Sequence, residues 1–250
     1  MKDFREHFFM LYTKLKDGEN FAFSRFSDGE LRIMQNQKLI LGDNFNQIGP
    51  RRRTSQYAPE DRKHFDPKLH PHVRDKLMEA YRYKAHNYYV GLSCRCCVLD
   101  RDFREMLKWY GEDDEFLTWS NLWVNGNYPL FVKYMIPEFS NHKIVYILNE
   151  RGTLSGLPFK VEKDFRVGDN CIVNDFNMSS FVSLWMEAEN IENHVFLFSA
   201  SSLSNFMIYD LYRDYPNNTY IDIGTTLNPY IGLATDREYL KGKDPKVCVW

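Results

Sequence analysis

The sequence contains little that would take the chain into or across a membrane. None of its apolar runs approaches the roughly 20 residues that a membrane-spanning helix requires. The first twenty residues mix charges with apolar side chains and lack the apolar core of a signal peptide. The five cysteines are odd in number, and three of them crowd into residues 94–97, which is not the spacing of a disulfide framework. These absences predict a protein without a membrane span in a reducing, cytoplasmic compartment.

The chain also carries almost no excess of one charge. Its formal net charge is -2 and its pI is about 6.4, so no overall basic field attracts nucleic acid or anionic membranes. Residues 51–86 are the exception, with ten Lys and Arg residues against five Asp and Glu residues. This segment fits either a solvated face or a surface that contacts an anionic acceptor.

Several common catalytic motifs are missing as well. Neither a G-x-x-x-x-G-K-[ST] phosphate loop nor a G-x-S-x-G hydrolase elbow occurs. Cys94, Cys96 and Cys97 lack C-x-x-C spacing, and no second cysteine pair accompanies them, which argues against a zinc site. We therefore interpret these cysteines as packing in or beside a buried strand.

What the sequence does contain is a regular alternation of apolar strands and amphipathic helices. Strands are predicted over 21–26, 88–93, 143–148, 171–174, 195–199 and 220–223. Helices are predicted over 1–17, from 27 onward, over 73–86, 103–110, 180–189 and 203–215, and within 119–139. This alternation is typical of a mostly parallel sheet with helices on both faces. We predict a single Rossmann-like α/β domain over 1–250, with a loop-rich insertion at about 42–72.

The residues that follow the predicted strands are small or polar. Ligands of parallel α/β sheets bind at the carboxyl ends of the strands, so these residues are candidates for contacts with a polar ligand. The residues predicted to bind a cofactor or donor in these segments are Ser199, Ser201 and Thr225. The acids predicted as candidates for a catalytic general base are Glu150, Asp175 and Asp222.

The end of the first strand carries the strongest chemical signal, because two carboxylates stand where a strand turns into a helix. Asp28 and Glu30 offer the hard oxygen ligands that Mn²⁺ or Mg²⁺ prefers, often together with substrate phosphates. Gly29 leaves room for a diphosphate to approach the backbone, and Arg25 can pair with phosphate oxygens. The same spacing also fits a capping box, in which Ser27 is the N-cap and Glu30 bonds back to it.

Three segments resemble the GT-D fold glycosyltransferases. The block RFSDGELRIM, residues 25–34, resembles their R-[FY]-G-D-G-E-x motif, with Ser27 in place of the usual glycine before the aspartate. The stretch PNNTYIDIGTTL, residues 216–227, resembles their late N-x-x-[YF]-[IL]-D-[IV]-G-[SA] segment, and residues 237–239 resemble a closing R-x-Y element. The likeness covers nearly the whole chain in element order and is specific at its two ends.

This resemblance implies a metal-dependent transfer of a sugar from a nucleoside-diphosphate sugar, with a UDP-sugar as the expected donor. It carries over Asp28 and Glu30 as the residues that bind the Mn²⁺ or Mg²⁺ ion and the donor, with Arg25 and Ser27 beside them. The expected acceptor is a hydroxyl group of a glycan. The basic segment leaves a hydroxymethylated DNA base as a second candidate acceptor.

Two other function classes fit parts of the sequence. The D-I-G stretch at 222–224 resembles the first motif of S-adenosylmethionine-dependent methyltransferases, although two threonines follow where further glycines are usual. The aromatic and amide residues of 119–128 fit a sugar-binding surface, including that of a non-catalytic glycan-binding domain, or the start of a core helix.

Overall fold

A computed structural model describes residues 3–42, 45–54, 57–111, 114–234 and 237–242. Eleven strands lie within these ranges. In chain order they are β1 (Ala22–Phe26), β2 (Leu39–Leu41), β3 (Asn46–Ile48), β4 (Arg51–Arg53), β5 (Lys63–Phe65), β6 (Tyr88–Leu92), β7 (Leu117–Trp119), β8 (Ile144–Asn149), β9 (Val161–Val167), β10 (Val195–Phe198) and β11 (Thr219–Asp222).

The helices are interleaved with these strands. They are α1 (Phe4–Lys16), α2 (Asp28–Met34), α3 (Pro71–Arg82), α4 (Asp100–Tyr110), α5 (Tyr128–Leu130), α6 (Ile136–Phe139), α7 (Cys171–Asn174), α8 (Met178–Glu189), α9 (Leu203–Asp214) and α10 (Asn228–Ile231). A π-helical turn, Phe131–Met135, joins α5 to α6, and 3-10 turns cover Pro59–Asp61, Asn125–Asn127 and Glu238–Lys241. In the described part of the chain, no helix is both long and apolar enough to cross a bilayer.

Seven parallel strands form the central sheet, in the order β7–β6–β1–β11–β10–β8–β9. Successive side chains of a strand point to opposite faces, so each central strand contributes to two cores. In β8, Val145 and Ile147 pack into the core beneath α2, α3, α4, α8 and α9. Tyr146 and Leu148 of the same strand pack into the opposite core, beneath α1, α6 and α10. The predicted α/β fold, with a parallel sheet flanked by helices, is confirmed.

A second, smaller sheet overlaps the segment predicted as a loop-rich insertion at about 42–72, and its strand β2 lies just before that segment. Its four antiparallel strands lie in the order β4–β3–β2–β5, and each strand is only three residues long. Such short strands show too few alternations to be recognised from the sequence, and β4 consists of three exposed arginines. The small sheet places the start of β5 beside the carboxyl edge of the central sheet, where it contributes to the site described below.

One predicted strand is wrong. Residues Cys171–Asn174 form the short helix α7, and the strand at that edge of the sheet is β9, which pairs with β8. The apolar triplet Cys171-Ile172-Val173 suggested a buried strand, but a short apolar run does not distinguish a strand from a helix. The sequence does not indicate strand β9, because this strand lies at the edge of the sheet, where it is partly exposed and rich in charged residues.

Candidate functional site

A cavity of about 370 Å³ opens at the carboxyl edge of the central sheet. Its wall is formed by segments that follow the seven parallel strands, together with the start of β5 and the turn near residue 237. The predicted site residues on this wall are Arg25, Ser27, Asp28, Glu30, Ser199, Ser201, Asp222 and Thr225. Residues from both ends of the chain meet here because β1 lies directly beside β11.

Asp28 is the first residue of α2, and its side chain is exposed on the cavity wall. It makes no hydrogen bond or ion pair with any residue that the structure describes. Its carboxylate oxygens are therefore open to a ligand, as those of a metal-binding carboxylate must be.

Glu30 is buried, and both of its carboxylate oxygens are engaged. Its Oε2 accepts hydrogen bonds from the Ser27 amide at 2.9 Å and from Ser27 Oγ at 2.7 Å, as in a capping box. Its Oε1 accepts a hydrogen bond from Ser202 Oγ at 2.5 Å and lies 3.9 Å from Lys63 Nζ. Burial acts to raise the pKa of Glu30, but the Lys63 charge and these hydrogen bonds outweigh it and hold the pKa below its ordinary value.

The ammonium group of Lys63 lies beside Gly29, in the space that the sequence suggested for a diphosphate. A Cβ atom at position 29 would come within 3.2 Å of Lys63 Nζ, so a larger residue would press on the ammonium group. Lys63 and the neighbouring Arg62 both line the cavity. Because Gly29 has no side chain, the ammonium group of Lys63, at the start of β5 in the small sheet, has room beside it.

Arg25 and Asp222 pair across the neighbouring strands β1 and β11. Arg25 Nη1 lies 3.8 Å from Asp222 Oδ1, and Arg25 Nε donates a hydrogen bond to the carbonyl oxygen of Ser120. Gly224 has φ of +54°, and a Cβ atom there would clash with Arg25 Nη1. Its amide also donates to Asp222 Oδ1 at 2.9 Å. Only glycine combines this backbone conformation with so close an approach of the guanidinium group.

Two carboxyl groups of the cavity have pKa values displaced in opposite directions. Burial raises the pKa of Asp222 to about 6; the charge of Arg25 opposes this rise, and that of Glu30 adds to it. Glu30, by contrast, is held ionised by its partners. Two neighbouring acids whose pKa values are shifted in opposite directions are typical of sites that transfer protons. The acid with the raised pKa is then the one that accepts or donates the proton.

The loops after β10 and β11 contribute hydroxyl groups to the cavity. Ser199 Oγ donates to the carbonyl oxygen of Gly224 at 2.6 Å, and Thr225 Oγ1 lies 3.1 Å from the hydroxyl of Tyr239. Ser201 has φ of +54°, and its buried Oγ has no hydrogen-bond partner in the described ranges. A residue with an unusual backbone conformation and an unsatisfied polar atom is a candidate for ligand contact.

Two of the proposed general bases, Asp175 and Glu150, are not among the residues that line the cavity. Asp175 was predicted to end a strand, but it follows the helix α7 instead. Its carboxylate accepts a hydrogen bond from the Gly168 amide at 3.0 Å. Glu150 follows β8 but is exposed, and the neighbouring Asn149 lines the cavity in its place. Of the three candidates, Asp222 is the one on the cavity wall.

The aromatic and amide segment 119–128 divides between the core and the cavity. Trp123 is fully buried, and its ring packs edge-on against Phe8 and Phe23. Asn121 and Asn125 line the cavity, and the buried Oδ1 of Asn121 has no partner among the described residues. Within this segment the unsatisfied Oδ1 of Asn121 is the candidate for contact with a ligand, whereas the central tryptophan serves packing.

The residues present fit a divalent cation in part. Mg²⁺ and similar ions are often held by one or two carboxylates together with substrate phosphates, and the open carboxylate of Asp28 meets that need. Glu30 lies behind it with its oxygens already bonded. Within the described ranges, Asp28 does not belong to a group of three His, Cys, Asp or Glu residues whose potential ligand atoms all lie within 4.8 Å of one another. A cation at Asp28 would therefore depend on oxygens of the bound substrate.

Several cavity residues were not recognised from the sequence. Lys63 and Arg62 come from the small sheet, whose strands were not predicted, and Ser202 reaches Glu30 from the loop before α9. No local pattern identifies them, because their relation to Glu30 arises only in the folded chain. Arg237 and Tyr239, which belong to the short segment that resembles a closing R-x-Y element, also line the cavity.

Comparison with known proteins bears on this fold. No protein-family model and no curated protein sequence matches the chain. Among solved structures, the selenomethionine-substituted domain of unknown function 1792 (DUF1792) superposes with a TM-score of 0.59 at 14% identity, covering 97% of this chain and 83% of that chain. A DUF1792 structure described as having a distinct glycosyltransferase fold superposes with a TM-score of 0.59 at 13% identity and the same coverage. The chain shares this glycosyltransferase fold.

A further structure, described as a new glycosyltransferase (DUF1792) from Streptococcus sanguinis, superposes with a TM-score of 0.58 at 14% identity, covering 96% of this chain and 85% of that chain. The fold expected from the GT-D resemblance is thus confirmed. At these identities the likeness concerns the fold, and the chemistry must be argued from the cavity itself.

Proposed function

We propose that this protein is a glycosyltransferase that moves a sugar from a nucleoside-diphosphate sugar, with UDP as the expected nucleotide, to a hydroxyl group of an acceptor. One observation carries the proposal. The two chain segments that resemble glycosyltransferase motifs, residues 25–34 and 216–227, meet in one cavity, where the open carboxylate of Asp28 and the pair Arg25–Asp222 line the wall. The shared fold supports the same conclusion.

In this proposal Asp28 holds a Mn²⁺ or Mg²⁺ ion together with the donor diphosphate. The ion would neutralise negative charge on the departing nucleoside diphosphate. Arg25 and Lys63 place further positive charge on the cavity wall, which favours the same developing charge. Ser201 offers its unpartnered hydroxyl to the donor, and Glu30 keeps Lys63 and Ser202 in place from within the wall.

Asp222 is the proposed general base for the acceptor hydroxyl. A base with a pKa of about 6 is ionised at neutral pH and still binds a proton more readily than an ordinary aspartate. Arg25, 3.8 Å away, favours the ionised form that accepts the proton. The acceptor oxygen would bond to the sugar carbon while the bond from that carbon to the phosphate oxygen of the donor breaks, and the acceptor proton would pass to a carboxylate oxygen of Asp222.

The acceptor is proposed to be a glycan hydroxyl, with a hydroxymethylated DNA base as the alternative. The three exposed arginines of β4 belong to the sheet whose β5 borders the cavity. Binding of DNA through them should weaken steeply as salt increases, because phosphate contacts release counterions. Binding of a neutral glycan should change little. Titrations of both acceptors at low and at physiological salt distinguish the two.

The proposed function is tested by incubating the purified protein with a panel of UDP-, GDP- and TDP-sugars, with Mn²⁺ or with a chelator. We expect release of nucleoside diphosphate from one donor class, only when the ion is present. Thermal-shift measurements with UDP plus Mn²⁺ and with S-adenosylmethionine run in parallel. Stabilisation by S-adenosylmethionine alone would favour the methyltransferase, and turnover of no donor together with glycan binding would favour the non-catalytic domain.

A further inference from the structure

Three cysteines after β6 form a cluster that the proposed glycosyl transfer does not use. The Sγ atoms of Cys94, Cys96 and Cys97 all lie within 4.8 Å of one another, and those of Cys94 and Cys96 are 2.8 Å apart. Cys94 is fully buried, while Cys96 and Cys97 are exposed. The sequence suggested that all three pack in or beside a strand, which describes Cys94 but not its two exposed neighbours.

The backbone of this segment is folded so that the thiols converge. The amides of Cys97 and Val98 both donate to the carbonyl oxygen of Cys94, at 3.0 and 3.1 Å, which closes a tight turn. Arg95, the non-cysteine residue within the turn, is directed elsewhere. Its guanidinium group lies 4.8 Å from the ring centre of Phe103, and its Nε lies 3.3 Å from Asp100 Oδ1. The turn therefore presents three sulfur atoms to one point.

We propose that Cys94, Cys96 and Cys97 bind a thiophilic metal ion of the Zn²⁺ class through three thiolates. Thiolates are the ligands that such soft or borderline ions prefer, and three ligands leave a fourth position for water or another small group. This site is separate from the one proposed at Asp28, whose oxygen chemistry suits Mn²⁺ or Mg²⁺. The thiolate ligands should therefore select Zn²⁺ over Mn²⁺ and Mg²⁺ at this cluster.

The surroundings of the cluster support a bound ion. Asn121 Nδ2 lies 3.7 Å from Cys94 Sγ, in position to donate a weak hydrogen bond that helps to stabilise a thiolate. The Oδ1 of the same amide is buried and has no partner in the part of the chain that the structure describes. Cys97 and Asn121 both line the cavity, so an ion here would hold the loop between β6 and α4 as part of the cavity wall.

The test uses the full-length protein, purified under anaerobic and reducing conditions. Zn²⁺ is titrated against a chromophoric chelator, and Co²⁺ is used as a spectroscopic probe. We expect one tightly bound Zn²⁺ per chain, and a Co²⁺ spectrum with sulfur-to-metal charge-transfer absorption. Cys94→Ser, Cys96→Ser and Cys97→Ser should each weaken Zn²⁺ binding by more than about tenfold.

Two controls make the result specific. Cys171→Ser removes a buried thiol that lies elsewhere on the cavity wall, and it should leave the Zn²⁺ affinity and the Co²⁺ spectrum unchanged. Asp28→Asn should also retain the Zn²⁺ site, even though it is expected to lose Mn²⁺-dependent activity. The proposal is overturned if the wild-type protein binds less than one Zn²⁺, if the Co²⁺ complex lacks charge-transfer absorption, or if the three serine variants bind Zn²⁺ as well as wild type.

Discussion

The guanidinium group of Arg25 lies 3.8 Å from the carboxylate of Asp222, although the two residues belong to opposite ends of the chain. The pairing exists because β1 and β11 are parallel neighbours in the central sheet and both end at the cavity. The ion pair links Arg25, which is proposed to face the donor phosphates, to Asp222, which is proposed to take the proton from the acceptor hydroxyl. We make five predictions about this arrangement and about Asp28 and Glu30, the two acids near it.

Gly224→Ala is expected to displace Arg25 and to lower donor hydrolysis by at least about tenfold. The added methyl group would clash with Arg25 Nη1, and the backbone conformation at 224 also disfavours alanine. Gly18→Ala is the matched control, because Gly18 has φ of +72° with nothing within 4 Å of a new Cβ atom. Both variants should lose roughly 1–2 kcal/mol of unfolding free energy, measured by chemical denaturation. Equal activity of the two variants would contradict the proposed role of Arg25.

Asp28→Asn should abolish most of the metal-dependent activity while leaving the fold intact. Loss of one group that stabilises transition-state charge typically costs about a hundredfold or more in rate. The side chain is exposed, so the unfolding free energy should stay within about 0.5 kcal/mol of wild type. Glu6→Gln changes an exposed acid in the first turn of α1, away from the cavity, and should retain full activity. Hydrolysis of the identified donor, measured across a Mn²⁺ titration, checks the prediction.

Glu30→Gln should destabilise the protein, in contrast to Asp28→Asn. In the wild type, donors from Ser27, Ser202 and Lys63 surround the buried carboxylate of Glu30. The substitution replaces that carboxylate with a neutral amide, whose NH₂ group cannot accept their hydrogen bonds. Hydrogen bonds to charged groups contribute roughly 1.5–3 kcal/mol, and we expect a loss of that size. Urea denaturation of the two variants side by side measures the difference. Similar stability of both would show that the buried position of Glu30 contributes little.

The rate of transfer is expected to rise with pH through about 6, because Asp222 must lose its proton to act as a base. Asp222→Asn should lower the rate by roughly 10²–10⁴-fold and remove this dependence. A pH–rate profile at saturating metal and donor separates this effect from changes in binding. A profile with no inflection near pH 6 in the wild-type protein would argue for a different base.

The same carboxyl group makes a prediction about stability. Its folded-state pKa of about 6 lies above its ordinary value of 3.8, so the folded state binds the proton more tightly than the unfolded state. The stability that this contributes is complete below pH 3.8 and is lost as pH rises through about 6. Denaturation of wild type and Asp222→Asn at a series of pH values should show this loss in the wild type alone.

Much of the central fold could be predicted because its signals are local. The buried strands β6, β8 and β10 each form a nearly continuous apolar run, β1 and β11 are shorter apolar stretches that end in polar residues or include them, and helices alternate with these strands along the chain. Strand β9 and the small sheet were missed for the opposite reason. The residues of β9 are partly exposed, and the strands of the small sheet are only three residues long. Neither shows a clear alternation of apolar and polar residues, so hydrogen bonding to neighbouring strands decides their structure.

For the candidate site, the sequence could predict which residues gather at one edge of the sheet, but not how they contact one another. The cluster at Arg25, Asp28 and Asp222 was found because polar residues that follow parallel strands gather at one edge. The spacing of Asp28 and Glu30 could not distinguish a pair of metal ligands from a capping box. In the structure the two acids differ, since Asp28 is open to the cavity and Glu30 is bonded within the wall.

By itself, the sequence determined the α/β class, the order of the main strands and helices, and the two segments that resemble glycosyltransferase motifs. These features depend on residue type and on spacing along the chain. Tertiary structure alone decided that Lys63 stands beside Gly29, that Arg25 pairs with Asp222, and that three thiols face one point. Those relations depend on which distant segments pack together and how tightly the backbone turns, and no local pattern of residues encodes them.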